Sequence, residues 1–493
     1  MRFLITTLGC KVNQYDGQAV AAALERCGFE RAAGDDRGVD LVVINTCCVT
    51  ATAMRKSRQA IRRAVRSCGG AAVLVVGCYG DYDGRRIGNL LAELNVPAEN
   101  VAIAGHHDDL AARVEALARR LGARDDPSLA GASSRPNPRA EPWGNDVRMT
   151  AACDARITAS PSTMTTRRQA AVKGNVPGAA GLGPIQRFAG HQRAFVKVQD
   201  GCDAFCTYCI VPYTRPRVWS RSSDQIVAEC RRLVAAGHRE IVLCGVFLGA
   251  FGQRTAVRRR WEAAAPALAA LLRRVAAIDG LWRVRLSSLQ PGDVTDDLLA
   301  ACGELPNAAP HFHLPLQSGS QRILRQMNRQ YTVAQYRRSV SRVRSALDRP
   351  AITTDVIVGF PGESGEQFRH TVDVARRAAF SRIHVFPYSD REGTAAFRMG
   401  GKVPRAVIQA RRGEMLAVAR ELSEAYHRRF IGRTVQPLVE ARRDRRTGLL
   451  CGYTERYVRT FFEGPDELSG KLAHVRVAEA TPRGVRGIVT LNP

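Results

Sequence analysis

Three cysteines fall in the run Gly201-Cys202-Asp203-Ala204-Phe205-Cys206-Thr207-Tyr208-Cys209, spaced CxxxCxxC. Thiols this close can all reach one inorganic core. A structural zinc site ordinarily closes with four ligands, yet no fourth Cys or His follows nearby, the next cysteine being Cys230. A cubane iron-sulfur cluster held by three thiolates keeps one iron open, and that iron can bind substrate or cofactor as well as pass electrons. The competing readings are a zinc loop and three unconnected thiols.

The elements that must position such a site show in the apolar periodicity. To about Leu121, strand-like runs alternate with helical patterns: Arg2–Thr6 then Gly17–Arg26, Asp40–Asn45 then Ala51–Val65, Ala72–Val76, and Val101–Ala104 then Asp108–Leu121. Strand and helix in turn predict an open parallel α/β sheet. Cys10, Cys47 and Cys78 each stand just past one of these strands, and ligand sites in open α/β sheets gather beyond the strand carboxyl ends. Three distant thiols are therefore expected in one crevice, as a second three-ligand cluster. Between Cys47 and its neighbour Cys48 the pattern does not choose. Cys27 and Cys68 fall within or at the ends of helical stretches, where cysteine is most often a small apolar residue.

A second α/β run offers six strand candidates: Arg193–Val198, Glu240–Cys244, Trp282–Leu286, His311–Leu314, Ala351–Val358 and Arg382–Phe386. Helical patterns at Asp224–Ala236, Ala264–Ile278, Ala334–Leu347 and Gly365–Ala378 sit between them. Six such units predict a partial (β/α)6 barrel, with its chemistry at the strand carboxyl ends by analogy with the complete eight-unit barrel. The CxxxCxxC loop follows the first of these strands directly. His311 and His313 alternate along one strand and share a face; the readings are a two-histidine metal site and a barrel-lining role, and the lining role is preferred because the cysteines already account for the metal chemistry.

Residues 122–191 lose periodicity and are rich in Ser, Thr, Pro, Gly and Ala, the signature of a flexible linker; Cys153 within it reads as incidental. Beyond a helical Ala406–Arg429, the segment 430–493 breaks into short β-rich runs divided by Gly and Pro, predicting a small closed β-barrel. The expected organisation is thus an α/β protein of four parts: 1–121, a linker 122–191, a barrel 192–429 and a small β domain 430–493.

Length and 45% hydrophobic content suit globular cores of about three domains. Neither a signal-peptide core after Met1 nor a run of ~20 apolar residues is present, so a cytoplasmic, non-membrane protein is expected. In a reducing compartment, fourteen cysteines favour ligands over disulfides. The net charge of +27, from 73 Lys and Arg against 46 Asp and Glu, attracts polyanions, nucleic acid foremost. Lysine occurs only at Lys11, Lys56, Lys173, Lys197, Lys402 and Lys471, so an arginine-rich bias contributes to that excess. Basic runs such as Arg258–Arg260 and Arg442–Arg446 read as solvated faces.

CxxxCxxC with an aromatic before its last cysteine resembles the cluster loop of the radical S-adenosylmethionine (SAM) enzymes. Thr7-Leu8-Gly9-Cys10-Lys11-Val12-Asn13-Gln14-Tyr15, Asn45-Thr46-Cys47 and Gly77-Cys78-Tyr79 together resemble the N-terminal domain of the methylthiotransferases within that group. Leu243–Gly249, Leu286–Pro291, His311–Ser320, Met327-Asn328-Arg329, Thr354–Glu363 and Phe386–Ser389 are similar to the same family's barrel motifs. Glu467-Leu468-Ser469-Gly470-Lys471 is similar to the TRAM domain appended to tRNA-modifying enzymes, and Tyr453 and Tyr457 there are candidates for stacking on bases. Four positions depart from the family pattern: Gln290 for Glu, Phe247 for His, Cys244 for Thr and Pro216 for Gly.

The resemblance implies two [4Fe-4S] clusters. Cys202, Cys206 and Cys209 would hold the one whose open iron chelates SAM, and Cys10, Cys47 and Cys78 an auxiliary one; the family pattern selects Cys47 because it follows Asn-Thr directly. SAM is then expected against residues that follow the later strands. Gly245 allows close backbone approach, Ser287, Ser288 and Gln290 offer polar contacts, and Val358 and Gly359 form an apolar edge for adenine.

Carbon 2 of adenine is unactivated toward nucleophilic sulfur, which suits a radical route. In the family, SAM cleavage at the first cluster yields a 5′-deoxyadenosyl radical, the auxiliary cluster carries the sulfur, and a second SAM gives the methyl group; the protein binds, orients and excludes water. The TLGCKVNQY wording resembles the branch acting on N6-threonylcarbamoyladenosine at position 37 of tRNA. The partners implied are the tRNA anticodon stem-loop, an electron donor and a sulfur source. Competing readings are another methylthio acceptor, isopentenyladenosine or a ribosomal-protein aspartate, and a non-catalytic iron-sulfur RNA-binding protein.

Overall fold

A computed structural model describes residues 1–32, 38–106, 108–122, 182–261 and 267–490. Its N-terminal sheet contains β1 (Arg2–Thr7), β2 (Glu30–Arg31), β3 (Leu41–Thr46), β4 (Ala72–Gly77) and β5 (Val101–Ala104) in the order β2-β1-β3-β4-β5, parallel throughout. Every residue of β3 and β4 is buried. Unbroken runs such as Leu-Val-Val-Ile suit a sheet covered on both faces. Helices α1 (Lys11–Arg26), α2 (Ala51–Ser67), α3 (Cys78–Glu93) and α4 (Leu110–Arg120) form the crossovers. The two-residue edge strand β2 is too short to carry an alternation, which is why periodicity missed it.

The second sheet system follows the expected strands closely: β6 (Arg193–Asp200), the short edge strand β7 (Trp219–Ser220), β8 (Glu240–Gly245), β9 (Arg283–Leu286), β10 (His311–His313), β11 (Ala351–Val358) and β12 (Arg382–Pro387). The six principal strands run parallel in the order β6-β8-β9-β10-β11-β12, with β7 antiparallel on the outer edge of β6. Between β9 and β10 the ladder thins to the bridges Val284↔Ala308 and Ser288↔His313. The result is the open (β/α)6 barrel anticipated. The six-residue helix Gln321–Gln326 and the helix Asp296–Glu304 escaped the sequence reading.

The C-terminal sheet comprises β13 (Thr434–Val435), β14 (Leu438–Val439), β15 (Leu450–Tyr453), β16 (Arg459–Phe462), β17 (Val475–Thr481) and β18 (Gly484–Val489), ordered β13-β17-β18-β16-β15-β14. A bridge from Leu438 to Leu472 helps it curl. The β-rich run at the start of this domain is split into β13 and β14 at Pro437, which lacks the N–H a continuous ladder needs.

This curled domain packs on the barrel through buried arginines. Arg285 donates to the carbonyls of Glu455 and Thr454, and its guanidinium lies 3.6 Å from the Tyr457 ring centroid. Arg283 reaches the carbonyls of Tyr453 and Gln436.

Of the segment assigned to a linker, 123–181 lies outside the described residues, Cys153 with it. The rest is packed: Leu182, Ile185 and Phe188 are buried, Arg26 donates to the Leu182 carbonyl, and Gln18 donates to Ala189. The Phe188 amide donates to His238 of the barrel, so this stretch straps the two α/β units together. No helix among the described residues is long and apolar enough to cross a membrane.

Candidate iron-sulfur site

The three strand ends of the N-terminal sheet bring Cys10, Cys47 and Cys78 together. Cys10 caps the start of α1, and Cys78 opens α3. Gly9 and Gly77 have φ of +107° and +96°, a region that favours glycine. A Cβ on Gly9 would stand 2.9 Å from the Cys47 Cβ, and one on Gly77 would stand 2.5 Å from the Thr46 carbonyl. Two asparagines lock the loops: Asn13 Nδ2 donates to the carbonyls of Leu8 and Thr46, and Asn45 Nδ2 donates to the carbonyl of Asn13. The motif asparagines thus act as scaffold.

The structure separates Cys47 from Cys48. Cys47 faces Gly9 and Cys10, whereas Cys48 is fully buried in the apolar cluster with Val42, Ile44, Ile61 and Val75 and donates its thiol to the Cys78 carbonyl. Burial pushes the Cys47 thiol up and the Cys78 thiol up to about 12, with Arg215 acting against it in both. His106 Nε2 sits 3.5 Å from Cys78 Sγ; burial, then Arg215, pushes its imidazole down to about 3, so it is neutral.

The CxxxCxxC loop leaves the end of β6 and is clamped from a second element. Asn328 Nδ2 donates to the carbonyls of Ala204 and Phe205, Thr207 N–H donates to the Met327 carbonyl, and Arg329 Nη1 lies 3.1 Å from Cys206 Sγ. Gln199 joins this loop to the end of β8 by donating to Asp200 and Gly201 carbonyls and accepting the Phe247 amide. Burial pushes the Cys202 thiol up to about 12 and the Cys209 thiol further up. Ligation requires loss of these protons.

Arg215 connects the two trios. Its carbonyl accepts the Cys202 amide at 3.0 Å, while its Nε lies 3.5 Å from Cys78 Sγ. The guanidinium also pairs with Asp16 at 2.7 Å and with Asp200 at 2.7 Å; Lys197 completes the group at 2.5 Å from Asp16 and 2.8 Å from Asp200. All four side chains are over nine-tenths buried. Burial alone would raise the carboxyls of Asp16 and Asp200, but the two cations outweigh it and hold both below the usual carboxylate range. Two anions and two cations leave the quartet neutral, which is what permits charges at this depth. Because Asp16 belongs to α1, the quartet also fastens the N-terminal sheet over the barrel.

Side chains at alternate positions line the barrel interior: Lys197, Cys244, Arg285, His311, His313, Thr353, Asp355 and His384. His311 and His313 both meet Thr353 Oγ1, which places them on one inner face as expected. His313, Asp355 and His384 converge with ligand atoms mutually within 4.8 Å. The signal for this trio was the alternation across three strands, where Asp355 stands directly beside His384.

The SAM candidates divide. Ser287 Oγ and Gln290 Oε1 are buried without a partner, and Ser288, two residues beyond the end of β9, is exposed. A Cβ on Gly245 would meet Gln199 and Leu248. Val358 is fully buried, and the Gly359 amide donates to Glu363. Phe360 packs with Met327 and with Tyr208 of the cysteine loop. Tyr453 and Tyr457, candidates for base stacking, instead face Arg193, with Tyr457 also against His311 and Arg285. Arg258, read as part of a solvated basic face, pairs with the buried Asp293 and lies over Trp261.

The donor sets fit iron-sulfur clusters. A tetrahedral zinc, with bonds of ~2.3 Å, holds thiolates roughly 3.8 Å apart. Among the described residues, neither cysteine trio is drawn within 4.8 Å as His313, Asp355 and His384 are. Three all-thiol ligands at wider spacing suit a polynuclear core.

Comparison with known proteins agrees. Residues 196–375 match the Radical SAM superfamily, and residues 2–96 match Uncharacterized protein family UPF0004. The chain is 31% identical over 476 residues, 96% of its length and 93% of the relative's, to threonylcarbamoyladenosine tRNA methylthiotransferase MtaB of Bacillus subtilis. It is 33% identical over 488 residues, 98% of its length and 96% of the relative's, to tRNA-2-methylthio-N(6)-dimethylallyladenosine synthase of Sphingopyxis alaskensis. Among solved structures, the radical SAM methyltransferase TsrM of Kitasatospora setae aligns with a TM-score of 0.49 and 16% identity, over 78% of this chain and 72% of that one. The chain belongs to the radical SAM tRNA methylthiotransferases, enzymes that use S-adenosylmethionine and two [4Fe-4S] clusters.

Proposed function

We propose that the chain installs a methylthio group at C2 of N6-threonylcarbamoyladenosine at position 37 of tRNA. The observation that carries this reading is the placement of two cysteine trios on either side of Arg215, so that one base can meet both sites. Cys202, Cys206 and Cys209 would hold the SAM-binding cluster, and Cys10, Cys47 and Cys78 the auxiliary one. When bound, these groups and SAM supply the radical chemistry, the sulfur and the methyl group.

The chain's own residues prepare the space. The buried quartet holds the sheet against the barrel and excludes water between them. Arg329 places a fixed cation on Cys206, and Arg215 places one on Cys78. Ser287, Ser288 and Gln290, with Gly245, Val358 and Gly359, are the SAM-contacting set. The segments 1–121, 192–429 and 430–493 serve as sulfur-site domain, radical domain and RNA-facing domain, acting in the cytoplasm on the anticodon stem-loop with an electron donor and a sulfur source. The threonylcarbamoyl choice is supported by the TLGCKVNQY run and by the likeness to the B. subtilis protein.

A second acceptor, dimethylallyladenosine, is favoured by the likeness to the S. alaskensis protein. Nucleoside mass spectrometry of tRNA from a deletion strain decides. Loss of 2-methylthio-N6-threonylcarbamoyladenosine is the expected result; loss of the dimethylallyl product instead would transfer the assignment.

A further inference from the structure

Lys11 follows Cys10 directly and is the first residue of α1. Its ammonium points into the barrel, 5.9 Å from the ring centroid of Tyr457, and its charge is felt by Cys244, His311 and His384, which line the same interior. The other cations there have carboxylate partners: Lys197 has Asp16 and Asp200, Arg193 has Glu440, Arg285 has Glu240, and Arg283 has Glu240 and Glu455. Asp355, the acid nearest the lumen histidines, is engaged by His313 at 3.2 Å. Lys11 alone of these has no carboxylate or hydrogen-bond acceptor among the described residues. A half-buried ammonium that faces an aromatic ring but no counter-ion recovers only part of its lost hydration, so it suits a site whose ligand brings the anion.

The chemistry of the base supplies one. In adenine, C2 and C6 are both bonded to N1, so a base that offers C2 to a cluster on Cys10 turns its N6 substituent along the same edge. Lys11, the next residue, is then the side chain placed to meet that substituent. An N6-threonylcarbamoyl group ends in a carboxylate; a dimethylallyl group carries no charge. We propose that Lys11 pairs with the threonyl carboxylate of the substrate and so sets the preference for an anionic N6 substituent. This inference rests on the threonylcarbamoyl reading above.

The test compares three tRNAs, bearing the threonylcarbamoyl group, its neutral threoninamide analogue, and the dimethylallyl group, using the full chain with both clusters. The wild type is expected to prefer the carboxylate over the carboxamide by roughly 10- to 100-fold in kcat/KM, the range of a charged hydrogen bond. Lys11→Met should bring that ratio close to one, and Lys11→Arg should restore most of it, with iron and sulfide contents equal to the wild type. If the wild type modifies only dimethylallyl tRNA, the functional reading falls and this inference with it. If the wild type modifies threonylcarbamoyl tRNA and Lys11→Met keeps the full carboxylate preference, only the inference falls. A wild-type ratio near one overturns it whatever the variants do, so a variant that fails to hold its clusters does not shield it.

Discussion

The Nε of Arg215 lies 3.5 Å from Cys78 Sγ, joining a residue of the barrel's first loop to a thiol of the N-terminal sheet. The same guanidinium satisfies Asp16 and Asp200. Removing it leaves two buried carboxylates sharing Lys197 alone. Arg215→Ala is therefore expected to cost about 3–5 kcal/mol, the range for breaking a buried pair. Arg215→Lys keeps the charge but loses the planar fork that serves two partners, and should fall between. Anaerobic denaturant titration measures this; an alanine variant as stable as the wild type would show that Arg215 does not bind the two units.

Asp16 tests the same group from the other side. Asp16→Asn leaves Lys197 and Arg215 with one carboxylate between them, and α1 should exchange its amide hydrogens faster as it loosens from β6. The pH dependence has a definite sign. Lys197 and Arg215 hold Asp16 and Asp200 below the usual carboxylate range against the effect of burial, so their contribution is complete above the unfolded value of ~3.9 and declines as pH falls toward the folded values. The stability gap between wild type and Asp16→Asn should accordingly be constant from pH 6 to 8 and narrow on acidification below about 4. A gap that widens in acid would reverse the assignment.

Much of this was legible in the chain because strands and cysteines are local signals. Cys10, Cys47 and Cys78 stand at strand ends, and the strand rule brings such positions together whatever their separation. The quartet was not legible. Asp16 and Lys197 are 181 residues apart, and nothing local pairs them. Each did leave a trace: Lys197 interrupts the apolar run of β6, and Asp16 sits beside Tyr15 on the buried side of α1. Arg329 was noticed only as part of a motif, because contact with a distant thiol has no periodicity. The surroundings of the last domain's tyrosines were hidden for a related reason. An aromatic beside basic residues reads as a nucleic-acid platform, but the arginines that meet Tyr457 come from the barrel.

Cys47 and Cys48 are adjacent in sequence and opposite in environment. Cys47→Ala should lose one cluster, about four irons per chain, because its thiol shares the crevice with Cys10. Cys48→Ala should keep both clusters and lose about 1 kcal/mol of stability, since it removes one packed sulfur from an apolar core. Iron and sulfide analysis of anaerobically purified variants checks both. Equal loss from the two would mean the local orientation is not what selects the ligand.

Arg329 acts on the electron carried by the other site. Its Nη1 is 3.1 Å from Cys206 Sγ, and a cation there favours the more negative, reduced form of a bound cluster; hydrogen bonds to ligand sulfur are among the main controls of potential. Arg329→Gln should lower the reduction potential, by about 60 mV for each 1.4 kcal/mol of stabilisation removed. A redox titration followed by electron paramagnetic resonance reads the shift. No change, or a rise, would indicate that the arginine serves only to hold Tyr208 and Tyr331.

Gln290 offers the sharpest probe of where SAM lies. Its Oε1 is buried without a partner, as is the nearby Ser287 Oγ, and both follow β9 where a polar ligand is expected. A carboxylate in place of the side-chain amide would accept from the SAM amino group with a charge-assisted bond, roughly 1 kcal/mol stronger than the neutral one and so about fivefold tighter. The opposing effect is repulsion from Asp293, whose Oδ2 accepts the backbone N–H of Gln290 at 2.6 Å. Asp293 is already paired with Arg258, which cancels most of that repulsion. Gln290→Glu is therefore expected to lower the SAM dissociation constant several-fold, as measured by equilibrium dialysis on the cluster-loaded chain. Weaker binding would show that the Asp293 carboxylate dominates, and unchanged binding would place SAM away from this loop.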